Sequence, residues 1–178
     1  MNYATIKPRD IANGPGVRVS LFVSGCTHHC PECFNQEAWD FAFGQPFTPA
    51  TEEELLRQAA PDFVAGLSLL GGEPFEPANQ AALLPFVTHF RQTYPQKTVW
   101  CYSGYTLEEL TGASRAHTTN TLPLLQQLNV LVDGEFVAAK KNLRLVFRGS
   151  ENQRVLDVPA SLAAGRAVWL AGFAQEVQ

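Results

Sequence analysis

Three of the chain's four cysteines, Cys26, Cys30 and Cys33, fall within eight residues in the pattern C-x3-C-x2-C. Thiolates at this spacing can converge on one compact metal centre, because short intervening loops let successive sulfurs turn inward. Several chemistries satisfy that geometry. A structural zinc ion would want a fourth ligand, and His28 or His29 lies inside the same loop. A disulfide between two of the thiols would strand the third, in a chain that otherwise looks nothing like a stapled secreted scaffold. A cubane iron–sulfur cluster on three cysteines would leave one iron open to another ligand.

A second stretch offers backbone rather than side chains. The apolar run Leu67-Ser68-Leu69-Leu70 ends in Gly71-Gly72-Glu73-Pro74. Glycines let main chain approach a ligand with no Cβ in the way, and the proline fixes the turn that follows.

In this order, and about 40 residues apart, the two motifs resemble the radical S-adenosylmethionine (SAM) superfamily. The resemblance implies that Cys26, Cys30 and Cys33 hold a [4Fe-4S] cluster and that the methionyl amino and carboxylate groups of SAM chelate the open iron. It also implies that Gly71, Gly72, Glu73 and Pro74 orient SAM, with the motif's backbone receiving the amino group. Residues around the third cysteine contact the adenine ring in that family, which carries Glu32, Cys33 and Phe34 over as SAM contacts. The chain departs from the common pattern there, with Glu32 in place of an aromatic before Cys33 and Phe34 directly after it. An ordinary packing role for Phe34 stays open. His28 and His29 read as solvent-facing or hydrogen-bonded loop residues rather than as cluster ligands.

Further segments narrow the resemblance. Asn13-Gly14-Pro15-Gly16 is a turn by composition. It is similar to the Asn-Gly-Pro-Gly of activases for anaerobic ribonucleotide reductase, where activases of other glycyl radical enzymes commonly carry Asp-Gly-Pro-Gly. Tyr102-Ser103-Gly104-Tyr105, Val130-Leu131-Val132-Asp133-Gly134 and Arg148-Gly149-Ser150-Glu151-Asn152-Gln153 resemble segments of the same group. Ser103 becomes a candidate SAM contact, and Asp133 either orders the cavity, neutralises positive charge there, or simply forms a turn. The segment beginning at Arg148 discloses no chemistry of its own. The implied reaction is reductive cleavage of SAM, with electrons from a flavodoxin-type donor. The resulting 5′-deoxyadenosyl radical would take a hydrogen from a glycine of the large subunit of anaerobic ribonucleotide reductase. Other readings are another small radical SAM enzyme, either a different glycyl-radical-enzyme activase or a deazapurine carboxylate synthase, and a zinc-binding interaction module.

These loops need elements to position them. The apolar run over residues 17–25 reads as a strand that delivers the thiol loop. A helix is expected from a Thr51 cap to about Pro61, a strand over 64–70, a helix over 79–94, a strand over 98–102 and a short helix from Leu107. A polar loop over 112–121 precedes a short helix over 122–128 and an apolar strand over 130–136. A strand pair is expected within 143–155, and residues 167–170 as a sheet edge. Cys101, in an apolar run, suits a buried thiol acting as a small hydrophobe. Strand–helix alternation implies an α/β fold with a mainly parallel sheet and ligands at the carboxyl ends of its strands. The resemblance implies a partial, open (βα)6-type barrel, with residues 1–158 as the activase domain and 159–178 as a C-terminal extension of it.

At 178 residues, 46% of them hydrophobic, the chain can bury one good core. A net charge of −4 and no basic run argue against a nucleic-acid partner. The N-terminus lacks the pattern of a secretion signal and no apolar run approaches the ~20 residues of a membrane span. The expectation is a cytoplasmic protein with no membrane partner.

Overall fold

The structure is a computed structural model and describes residues 1–174. Strands β1 (Asn2–Asp10), β2 (Val17–Val23), β3 (Gln45–Pro46), β4 (Val64–Gly71), β5 (Thr98–Tyr102), β6 (Val130–Asp133) and β7 (Arg154–Asp157) form one seven-stranded sheet in the order β3-β1-β2-β4-β5-β6-β7. Its centre, β2-β4-β5-β6, is parallel, as the strand–helix alternation implies. Both flanks are antiparallel, with β1 between β2 and β3 on one side and β7 against β6 on the other.

The register sorts side chains between two layers. Val19, Leu21, Leu67, Leu69, Val99, Cys101 and Leu131 share one face and pack with Leu55, Leu83, Phe86 and Phe90 in the main core. Their helical partners lie on α1 (Pro49–Ala59) and α2 (Pro77–Thr93). Helices α3 (Leu107–Thr111) and α4 (Thr121–Leu125) add Leu107, Leu110, Leu124 and Leu125 to the same core. Cys101 is fully buried here, and burial raises its thiol pKa well above the ordinary value, which suits an inert packing group. On the opposite face Trp100, Val130, Val132 and Val155 form a smaller cluster closed by Phe147, Leu170 and Phe173. A helix-covered parallel sheet explains why β2 and β4 are buried almost without alternation.

Arg18 is the exception on that second face. Its side chain is completely buried and donates to Ser68 Oγ at 2.7 Å, Leu67 O at 2.8 Å and the Thr98 hydroxyl and carbonyl at 3.0 and 2.9 Å. Burial lowers its pKa to about 10, while the saturated donors make the site tolerable. Ser68 Oγ in turn donates to Asn13 O at 2.6 Å, which ties the 11–16 turn beneath the sheet.

Several boundaries differ from expectation. Thr48, rather than Thr51, caps α1, and Thr51 completes a reciprocal capping box three residues in. Strand β6 stops at Asp133 because Gly134 turns the chain at φ 98°. The strand pair expected within 143–155 is mostly absent; only Arg154–Asp157 joins the sheet, and residues 141 and 150 meet in a single bridge. Phe147 in the left-handed region and side-chain bonds from Asn142 and Gln153 take up the backbone there. Strand β1 was unexpected, since Pro8 and its polar neighbours hide a strand whose pairing skips between Lys7 and Asp10. Beyond it all, α5 (Val158–Ala164) is capped by Asp157 and ended by left-handed Gly165. The edge expected at 167–170 consists of one bridge from Trp169 to Leu156. Residues 175–178 of the extension lie outside the described residues. Among the described residues no helix is long and apolar enough to cross a membrane.

Candidate functional site

A cavity of about 500 Å³ opens at the carboxyl ends of β2, β4, β5 and β6. This is where a parallel sheet gathers loops that can touch one ligand. Cys26, Cys30, Glu32, Cys33, Phe34, Gly71, Gly72, Glu73 and Ser103 all line it, so the expected cluster and SAM contacts meet in space, with one exception among them. Pro74 is buried behind the lining and shapes the entry to α2 rather than the cavity wall.

Backbone bonds fix the thiol loop to its neighbours. Gly25 N donates to Ala38 O at 2.8 Å and Cys26 N to Trp39 O at 3.1 Å, so a short 3-10 turn at Gln36–Trp39 closes the loop. Gly72 N donates to Val23 O at 2.7 Å and Glu73 N to Gly25 O at 2.8 Å, which zips the tip of β4 onto the tip of β2. Gly71, at φ 110°, has room for no Cβ, which would stand 2.7 Å from Val23 N. At Gly72 a Cβ would meet Gly25 O at 2.6 Å. The glycines are therefore required twice, by this backbone packing and by the open main chain they leave on the cavity side.

Glu73 is buried and saturated. Its Oε1 accepts from Phe75 N at 2.8 Å and Ser103 Oγ at 2.9 Å, and its Oε2 accepts from Gly104 N at 2.7 Å. The carboxylate thus welds the β4 tip to the β5 tip, and Ser103 acts on it while also lining the cavity. Residues that sequence reading passed over supply the remaining ties. Asn79, buried on α2, donates from Nδ2 to Ser24 O at 3.0 Å and Glu73 O at 2.9 Å. Glu76 accepts from Thr27 N at 2.8 Å and Thr27 Oγ1 at 2.6 Å, and Asn35 Nδ2 reaches Gly71 O at 3.3 Å. The one local signal for Glu76 and Asn79 was Pro77, a proline suited to the first turn of a helix that must start beside the motif.

His28 is hydrogen-bonded, but it does not face solvent. Its side chain is 4% exposed, with Nδ1 2.5 Å from Glu135 Oε1 and Nε2 at ion-pair distance, 3.2 Å, from Glu73 Oε2. Burial alone would lower its pKa, but the two carboxylates outweigh burial and raise it. The ring sits edge-on to Tyr105 and over Gly104, where a Cβ would stand 2.7 Å away. His29, in the left-handed region, stacks on Trp39. Asp133 turns from the cavity; it accepts from Leu107 N at 2.7 Å and pairs with Arg154 at 2.6 Å.

The three thiols share the cavity wall, yet among the described residues no group of three or more His, Cys, Asp or Glu side chains is drawn in tightly enough to hold a metal ion as the loop stands. As bare thiols Cys26 and Cys30 resist ionisation: burial and then Glu73 push Cys26 up to about 12, and burial and then Glu135 push Cys30 up. A bound cation reverses that balance by supplying the missing positive charge. The donor set fits a thiolate-held cluster better than zinc, since His28 is committed to two carboxylates and His29 to Trp39.

Residues 12–156 match the family described as a 4Fe-4S single cluster domain, the class that a three-thiol loop on this sheet defines. Within that class the similarity is specific. The anaerobic ribonucleoside-triphosphate reductase-activating protein of Escherichia coli (strain K12) is 42% identical over 157 residues, covering 87% of this chain and 97% of that protein. Its counterpart from Pasteurella multocida (strain Pm70) is 43% identical over 155 residues, 86% and 95% of the two chains. That of Enterobacteria phage T4 is 37% identical over 157 residues, 87% and 93%. The chain belongs to the family of anaerobic ribonucleoside-triphosphate reductase-activating proteins.

Proposed function

We propose that this chain activates anaerobic ribonucleotide reductase by generating a glycyl radical on its large subunit, using SAM and a [4Fe-4S] cluster held by Cys26, Cys30 and Cys33. The observation that carries the reading is the meeting of three thiols and a glycine-edged strand tip on one cavity wall, in a family named for this activation. When bound, the reduced cluster and SAM supply one-electron cleavage of a carbon–sulfur bond, chemistry that no side chain provides.

The protein's own part is placement. Gly71 and Gly72 hold open main chain to the methionyl end, and Glu73, pinned by Phe75 N, Ser103 and Gly104, keeps that edge rigid. Glu32, Cys33, Phe34 and Ser103 border the space assigned to the nucleoside. Leu70, Phe136, Leu145 and Phe147 give the wall an apolar stretch that excludes water from the reacting atoms. Pro74 serves by fixing the start of α2. No residue is asked to move a proton.

A protein substrate suits the rim. Phe34 and Leu143 line the cavity and are 85% and 91% exposed, and Val146, 56% exposed, follows three residues after Leu143, an apolar edge that a loop carrying the target glycine would cover. A flavodoxin-type electron donor, a cytoplasmic setting, curvature of the sheet into an open partial barrel, and the division into residues 1–158 and a 159–178 extension belong to the same reading.

Anaerobic reconstitution tests it. The account expects a brown protein with about four irons per chain that cleaves SAM when reduced. A colourless protein holding one zinc would overturn it in favour of an interaction module.

A further inference from the structure

The segment Arg148-Gly149-Ser150-Glu151-Asn152-Gln153, one of the chain's most distinctive, has no part in the chemistry above. Its bonds show what it builds. Gln153 Oε1 accepts from Gly149 N at 2.8 Å and Ser150 N at 3.1 Å, Arg148 donates to Gln153 O at 2.7 Å, and Ser150 Oγ accepts from Val137 N at 3.2 Å. The remaining amides reach across to the loop after β6: Gln153 Nε2 donates to Gly134 O at 3.0 Å and Asn152 Nδ2 to Glu135 O at 2.8 Å.

That loop has two contacts with the thiol loop. Glu135 accepts from His28 Nδ1, midway between Cys26 and Cys30 in sequence, and the backbone N–H of Phe136 faces the Cys30 thiol. The opposite side of the His28 ring meets Glu73, already joined to Ser103 and Gly104. One imidazole therefore touches the loops that follow β2, β4 and β6 and rests on the one that follows β5.

We infer that Glu135, held in place by Asn152 and Gln153, is a positioning residue that sets the thiol loop through His28. The inference rests on the reading of Cys26, Cys30 and Cys33 as cluster ligands, and it assigns the Arg148–Gln153 stretch a role: a staple that fixes the distance between the β6 loop and the cluster. Donors outside the ligand set orient a metal site and tune it, so the staple reaches the cluster without touching it.

The test compares Glu135→Ala, Asn152→Ala and Glu135→Gln, whose amide oxygen still accepts from His28. In iron-free protein, backbone hydrogen exchange at Cys26, Thr27 and Cys33 should quicken about fivefold in Glu135→Ala, as loss of one such bond implies, and less in Glu135→Gln. Asn152→Ala should reproduce the change at these amides although it touches none of them. In reconstituted protein, Glu135→Ala should shift the cluster's midpoint potential and weaken SAM binding, with Glu135→Gln restoring both toward wild type. Exchange at the thiol loop that is unchanged in Glu135→Ala and Asn152→Ala, with melting temperatures equal to wild type, would overturn the relay. Failure of the wild-type protein to take up iron would fault the cluster reading instead, leaving the exchange comparison to judge the staple.

Discussion

Cys26, Cys30 and Cys33 differ from Cys101 in surroundings more than in chemistry. The first three are part-exposed on a cavity wall, whereas Cys101 is sealed in the main core. Replacing any of the three with Ala should abolish reductive SAM cleavage and leave fewer irons per chain, measured by iron analysis and product chromatography. Cys101→Ala should keep both and lower stability by only about 1 kcal/mol, the scale of a small core vacancy. Gly72→Ala asks a sharper question, because its Cβ would press on Gly25 O at 2.6 Å and Ala38 O at 2.9 Å, two backbone atoms with little freedom to move. It should weaken SAM binding at least tenfold in calorimetry with the cluster loaded, with a loss of stability of about 2 kcal/mol. At this scale the sequence was informative wherever chemistry is encoded as a short motif. Beyond Pro77 it gave no sign of the roles of Asn79, Glu76 and Glu135, whose partners within residues 24–28 lie between 49 and 107 residues away. His28 was legible as a loop residue and illegible as a hub for the same reason.

Elements were legible where one face or both are apolar. The strands β2, β4 and β5 and the helix α2 fall close to where their patterns place them, since burial selects those side chains. Residues 134–153 were not, because they are organised by side-chain amides bonding to backbone rather than by hydrophobic period. The join of α3, β6 and β7 is of this kind: Arg154 donates to buried Asp133 and to Glu108. Arg154→Met leaves the Asp133 carboxylate buried without its counter-ion, and should cost about 3 kcal/mol, or roughly 10 °C in melting temperature. Arg154 also holds the Glu108 carboxyl below its usual range. A depressed carboxylate stabilises the fold above its unfolded pKa and loses that contribution as pH falls through the folded one. The melting-temperature gap between wild type and Glu108→Gln should therefore be present at neutral pH and close on acidification; a gap that widens would contradict the pairing.

Across the whole molecule, one sheet face is sealed by helices while the other opens into the cavity, so the proposed chemistry and the proposed docking rim share an edge. The rim segment there carries Lys140, Lys141, Arg144 and Arg148, a local concentration of cations that the expectation of no basic run overlooked because the chain's net charge is −4. Exposed Leu143 and Val146 stand among them. Leu143→Asp with Val146→Asp should leave SAM cleavage by the isolated protein within about twofold of wild type, since neither residue belongs to the buried framework, and reduce activation of the reductase at least tenfold if the two anchor the interface. Comparable losses in both assays would place these residues in the cavity's chemistry instead. The most direct measurement of the central claim is electron paramagnetic resonance of anaerobic ribonucleotide reductase mixed with this protein, SAM and a reductant. A doublet from a glycyl radical on the large subunit, absent when SAM is omitted, is the expected result. Silence, with a reductase that another activating protein of the family does activate, would contradict the account.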